Sequence, residues 1–178
     1  MLSEEGATLG EGPLTQTGQH MMTPEYAAPE QVRNDPITTA TDVYALGVIL
    51  YKLLTGHRPY QFESYSLAEL ERVICQKEPE APSTTILRRE EDLPRKQATL
   101  PTNPSEISQA RNTTIERLRR QLQGDLDKIV LMALRKEPKR RYASIEQFDE
   151  DIHRYLMRLP VRAQRDTLFY RSRKFIQR

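Results

Sequence analysis

The sequence predicts a mainly α-helical fold, and three observations predict it. Apolar residues recur at helical spacing in several separate segments, capping residues stand at the segment ends, and no run alternates apolar and polar residues for long enough to make a strand. With 37% hydrophobic and 29% charged side chains over 178 residues, the chain has the composition and length of one soluble domain with a core.

The elements follow in order. Residues 1–22 combine glycines with Ser and Thr and lack apolar periodicity, so they read as a mobile loop leading into the proline-punctuated stretch at Thr23–Pro36, and no helix or strand is assigned there. From Asp42 to Thr55, the residues Val43, Leu46, Val48, Ile49, Leu50, Leu53 and Leu54 are apolar on nearly every face. Gly56 follows where a left-handed cap falls, so this reads as a buried helix. Leu67 to Gln76 gives a shorter helix with Leu67, Leu70, Val73 and Ile74 on one face.

Residues 78–112 are polar and proline-rich and read as a long exposed insertion. A helix resumes near Thr114, where Ile115, Leu118 and Leu122 fall at helical spacing. Asp125 opens another, striped by Leu126, Ile129, Val130, Ala133 and Leu134 and ended by Pro138. Ser144-Ile145-Glu146-Gln147 matches a capping box, and the helix it starts runs through Phe148, Ile152, Tyr155 and Leu156 to Pro160.

Charge and chemistry exclude several function classes. The 27 basic and 25 acidic residues leave a formal net charge of +2, too small for a general field toward nucleic acid, so no nucleic-acid partner is expected. The lone Cys75 excludes an intrachain disulfide and a thiolate zinc cage and reads as a buried reduced thiol. His20, His57, His153, the cluster Glu90-Glu91-Asp92 and the pair Asp149 and Asp151 lack metal-ligand spacing and read as solvated surface. Because no long apolar run occurs and Met1–Glu5 is acidic, the chain as given reads as cytoplasmic.

Three motifs carry the chemistry. Thr23-Pro24-Glu25-Tyr26-Ala27-Ala28-Pro29-Glu30 comes first, then Asp42-Val43-Tyr44-Ala45-Leu46-Gly47, then Glu137-Pro138-Lys139-Arg140-Arg141. In this order and spacing they resemble the end of the activation segment, the start of the central helix of the C-terminal lobe, and the turn near the domain end of a bacterial eukaryotic-type serine/threonine protein kinase. The resemblance spans residues 15–156 and implies an incomplete helical C-lobe of the protein-kinase-like fold. It divides the chain into an activation-segment loop at 1–22, a partial kinase domain at 23–156 and a basic tail at 157–178.

The resemblance also implies roles. Thr23, Pro24, Tyr26 and Ala27 would receive the substrate residue beside the phosphoacceptor, although Met22 stands where the family usually has glycine. Ala28, Pro29 and Glu30 form the family triplet, with Glu30 expected in a buried ion pair with Arg141. Asp42 would accept backbone N–H groups of the catalytic loop, and Gly47 would be a close-packing position. Thr15 and Thr17 stand where activation-loop phosphothreonines occur.

A working kinase needs a Gly-rich phosphate loop, a strand lysine paired with a helix glutamate, a His-Arg-Asp loop and an Asp-Phe-Gly metal ligand. None of the four occurs in the sequence. The expectation is a chain truncated just after Asp-Phe-Gly, without catalytic, cofactor-binding or metal residues, whose family's ATP and Mg would be held by a missing N-terminal kinase part. Two functions stay open: a piece of a catalytic kinase acting on protein substrates, or a non-catalytic helical docking module derived from a kinase C-lobe. The tail sets Arg158, Arg162, Arg165, Arg171, Arg173, Lys174 and Arg178 against the single acid Asp166. It resembles the segment that leads to a transmembrane helix in a group of bacterial kinases, which places the parent at the inner face of the plasma membrane.

Overall fold

The computed structural model describes residues 23–88 and 103–164, and among them every regular element is helical. A 3-10 turn at Pro24–Tyr26 leads into α1, Pro29–Arg33, in the stretch where the sequence predicts no helix. The reason is local. Each turn has a proline in its first positions, where the missing N–H costs nothing, and the Ala28 amide donates to Gln31 Oε1 at 2.9 Å. Asn34 ends α1 at φ 57°, a left-handed position that asparagine tolerates.

The central helix α2 spans Thr39–Thr55 and starts ahead of the expected Asp42, because the Thr38 hydroxyl accepts the Ala40 amide and the Thr38 amide donates to Thr41 Oγ1. Gly56 closes it at φ 75°. The expected burial on nearly every face is corrected: Val43, Tyr44, Val48 and Tyr51 are enclosed, while Ile49 is 42% and Leu53 67% exposed.

Next, α3 covers Leu67–Leu70 and widens into a π-helical turn at Glu71–Gln76, with the Lys77 amide bonded back to the Arg72 carbonyl. The reading of 78–112 as wholly exposed is also corrected. Within it lie α4, Pro82–Thr85, and α5, Pro104–Gln109, and their Ser83, Thr85, Ile86 and Ile107 are buried. Apolar residues too sparse to show a period still seal a core when a distant carboxylate holds them: Asp127 accepts the Ser83 amide at 2.9 Å and its hydroxyl at 2.7 Å.

Helices α6, Ile115–Leu122, and α7, Asp125–Ala133, follow, and α7 stops short of Pro138. Last comes α8, Ile145–Leu156. Its capping box does not form, since the Ser144 hydroxyl bonds no helix amide and Gln147 Oε1 instead takes the Ala143 amide at 3.3 Å.

Three apolar clusters meet along α2. One joins α1, α2, the π turn and α7, a second joins α2, α7 and α8, and a third packs α4, α5 and α6 under Leu126. Helices α2 and α7 approach closely at Gly47, where a Cβ would lie 2.8 Å from Ala133 Cβ and 3.3 Å from Leu134 Cδ2. Alanine gains about 1 kcal/mol in helix propensity, and overpacking costs about 1–3 kcal/mol. The inflexible methyl-to-methyl clash makes the second effect win, so Gly47→Ala is expected to lower the urea midpoint, and a raised midpoint would refute the close contact.

Candidate functional site

The site predicted from the sequence begins at the exposed Thr23, whose carbonyl accepts the Tyr26 amide at 3.0 Å to close the 3-10 turn. Pro24, Glu25 and Tyr26 are half-buried, and Ala27 to Glu30 are buried. Glu25 fastens the turn to the chain after α2: Arg58 Nη1 donates to Glu25 Oε1 at 2.9 Å, and the Tyr65 hydroxyl donates to the same oxygen at 3.0 Å. Sequence reasoning did not single out Glu25, Arg58 or Tyr65, since their pairing spans more than thirty residues of chain.

Behind this turn, Glu30 is 2% exposed and meets Arg141 in a bidentate pair, with Nη1 to Oε1 at 2.6 Å and Nη2 to Oε2 at 2.7 Å. The remaining Arg141 donors reach the carbonyls of Ala40 at 2.8 Å, Lys136 at 3.0 Å and Arg135 at 2.7 Å, so all five N–H groups are occupied. Its guanidinium lies over the Tyr44 ring, 4.9 Å from the centroid. Thr41 Oγ1 donates to Glu30 Oε1 at 2.8 Å. Burial alone would raise the Glu30 carboxyl, but hydrogen bonds from Arg141, the backbone and Thr41, with the Arg141 charge, carry it below its ordinary value.

The other expected residues lie apart. Asp42 is exposed in the first turn of α2, where its charge suits the helix dipole. Pro29 accepts the Cys75 thiol at 3.7 Å, and burial pushes that thiol up. Thr15 and Thr17 lie outside the described residues.

Several buried polar groups escaped the sequence reading. Lys136 is 6% exposed, donates to the Tyr60 hydroxyl at 2.7 Å and the Ile74 carbonyl at 2.6 Å, and sits 4.2 Å from the Tyr60 centroid, with burial pushing its ammonium down to about 8. His57 and Asp151, read from the sequence as solvated, are 4% and 0% exposed. Burial pushes His57 down, helped by the Arg88 cation. The neighbouring basic run in Glu137–Arg141 was the available signal for Lys136; His57 and Asp151 carried none, because only tertiary packing encloses them.

The donor set does not fit a metal centre. Among the described residues no group of three or more His, Cys, Asp or Glu is arranged to hold an ion. The buried carboxylates of Glu30, Asp127 and Asp151 are each engaged by protein donors, so no metal-dependent step is derived from them.

A helical body in which a buried glutamate–arginine pair ties a half-buried proline turn to the helices around a central helix is the helical lobe of a protein-kinase-like fold. The protein kinase domain family matches residues 8–152, and the chain belongs to that family. It is 31% identical over 147 residues to the serine/threonine-protein kinase PknD of Chlamydia abortus, covering 83% of this chain and 12% of that protein. To PknB of Mycobacterium tuberculosis it is 30% identical over 141 residues, covering 79% of this chain and 17% of the relative. A serine/threonine-protein kinase, drp72, of Corynebacterium efficiens is 46% identical over 52 residues, 29% of this chain and 10% of its own length. The chain thus spans a small part of the bacterial kinases it matches.

Proposed function

We propose that this chain is the substrate-docking, helical part of a bacterial serine/threonine kinase domain, and that it does not itself transfer phosphate. The observation that supports the reading is the bidentate Glu30–Arg141 pair, which ties the end of the stretch Thr23–Glu30 to the helices while Thr23 stays exposed. In this reading Thr23, Pro24, Tyr26 and Ala27 receive protein substrates, Asp42 and Gly47 serve the frame, and Thr15 and Thr17 accept regulatory phosphate. Phosphoryl transfer depends on positioned metal and charge, which the four motifs supply in the family and which this sequence does not contain.

The purified chain is therefore expected to give no saturable heat of Mg-ATP binding and no label transfer from ATP to a generic protein substrate. Sub-millimolar ATP binding by calorimetry would overturn the reading. The same frame serves a non-catalytic docking module, and in both readings the basic residues of 157–178 favour an anionic membrane surface. No helix among the described residues is long and apolar enough to cross a membrane.

A further inference from the structure

The outer face of α6 carries charge that nothing inside the molecule answers. Leu118 and Leu122 seat the helix in the third apolar cluster, while Arg117, Arg119 and Arg120 stand exposed against a single acid of the helix, Glu116. Arg117 is the third residue, in the first turn, where the helix dipole disfavours a cation, and it repels Arg120 three residues on. The ion pair that the i, i+4 spacing of Glu116 and Arg120 permits does not form. Arg120 Nε donates instead to the Glu116 carbonyl at 3.4 Å, and among the described residues none of the three arginines has a carboxylate partner. This face adjoins the end of α8, where the Tyr155 hydroxyl donates to the Gln121 carbonyl at 3.3 Å. The last turn of α8 carries His153 and Arg154, and the exposed Arg158 follows it; the acids Glu146, Asp149 and Glu150 come earlier, with Glu150 held by Arg154 and Arg162.

We propose that the arginine face of α6 rests on a membrane surface of anionic phospholipid, beside the place where the chain passes from α8 into the basic segment 157–178. The proposal rests on the reading of that segment as favouring an anionic membrane, and it adds a second contact that fixes which side of the domain faces the lipid. Charge complementarity chooses the partner class. The whole chain has a formal net charge of only +2, so no general field draws it to polyanions, and a local group of arginines suits a plane of phosphates, each of which a guanidinium fork can hold by two hydrogen bonds. An acidic protein segment would meet the same cations, but nothing holds one nearby. A membrane that takes up segment 157–178 brings its phosphates to α6 at high effective concentration, because both contacts belong to one chain.

The test is flotation of the full 178-residue chain with phosphatidylcholine vesicles that contain either no phosphatidylglycerol or about 30% of it. The chain is expected to float with the anionic vesicles alone and to detach as salt rises from about 50 mM to about 300 mM. Arg117→Gln, Arg119→Gln and Arg120→Gln together are expected to lower the partition coefficient about tenfold, since each cation near an anionic surface multiplies partitioning several-fold, with circular dichroism verifying that the variant folds. Arg171→Gln, Arg173→Gln and Lys174→Gln together report on the basic segment, and the two sets combined are expected to abolish flotation. An α6 variant that floats as well as the parent would overturn the role of α6 while leaving the basic segment as a membrane contact. Failure of the parent to float with anionic vesicles at low salt would sink both readings. Displacement of the parent by soluble polyglutamate at the same total charge would show that the face reads any polyanion, acidic proteins included, and would also overturn the proposal.

Discussion

Glu30→Ala is expected to remove about 3–5 kcal/mol of folding stability, read as a large fall in the urea midpoint or as loss of the folded state. The variant leaves the Arg141 guanidinium 0% exposed at its side chain with two of its five donors facing nothing, an uncompensated charge that the interior does not solvate. Removing both partners is gentler. Glu30→Leu combined with Arg141→Met deletes the desolvation cost along with the attraction, so the double variant is expected to be more stable than Glu30→Ala alone. This ordering keeps the prediction testable even if Glu30→Ala fails to fold. A single variant within about 1 kcal/mol of the parent, or a double variant worse than the single, would show that the pair does not anchor the turn.

The same pair sets an acid limit. Because the Glu30 carboxyl lies below its ordinary 4.5 in the folded chain, ionisation favours the fold, and the contribution is fully present above that value. It is lost as pH falls below 4.5 through the folded value. Glu30→Gln is expected to be less stable at neutral pH and to show a shallower loss on acidification, measured by urea midpoints from pH 7 to pH 3.

The anchor was legible because its partners sit in motifs with a fixed order, and Gly47 because a glycine inside an apolar helix usually marks a close approach. Pro29 at the head of α1 was in plain view, but the five-residue helix is too short to give a period. What the sequence hid has one physical origin, polar groups enclosed by long-range packing. Asp127 holds α4 across forty-four residues, Lys136 reaches Ile74 across sixty-two, and no local window contains both ends of either bond. The exposed Ile49 and Leu53 were missed for the converse reason, since an apolar residue on a core helix reads as buried until its neighbours are placed.

Asp151 carries the last prediction, and it concerns where the packed body stops. Its side chain is fully buried and accepts three donors: the Tyr142 hydroxyl at 2.8 Å, the Arg162 amide at 2.6 Å and the Ala163 amide at 2.9 Å. Those bonds fold the chain after α8 back onto it, so that Val161 is 2% exposed within the cluster of Val43, Ile129 and Phe148. Residues expected from the sequence to open a basic tail therefore begin as part of the core. Asp151→Ala strips the buried Tyr142 hydroxyl of its acceptor at about 1–3 kcal/mol where no water replaces it, and the part-buried Arg162 and Ala163 amides of theirs at less. It also frees Val161, whose burial contributes about 1.5–3 kcal/mol. Local release relieves part of this cost, so the expected outcome is a fall of about 3 kcal/mol in unfolding free energy together with rapid hydrogen exchange at Arg162 and Ala163. Asp151→Asn keeps one acceptor oxygen and the shape, and is expected to lose less. Unchanged exchange at those two amides in Asp151→Ala would mean that Val161, and not the carboxylate, holds the segment down, and that the boundary between domain and tail is set by apolar packing alone.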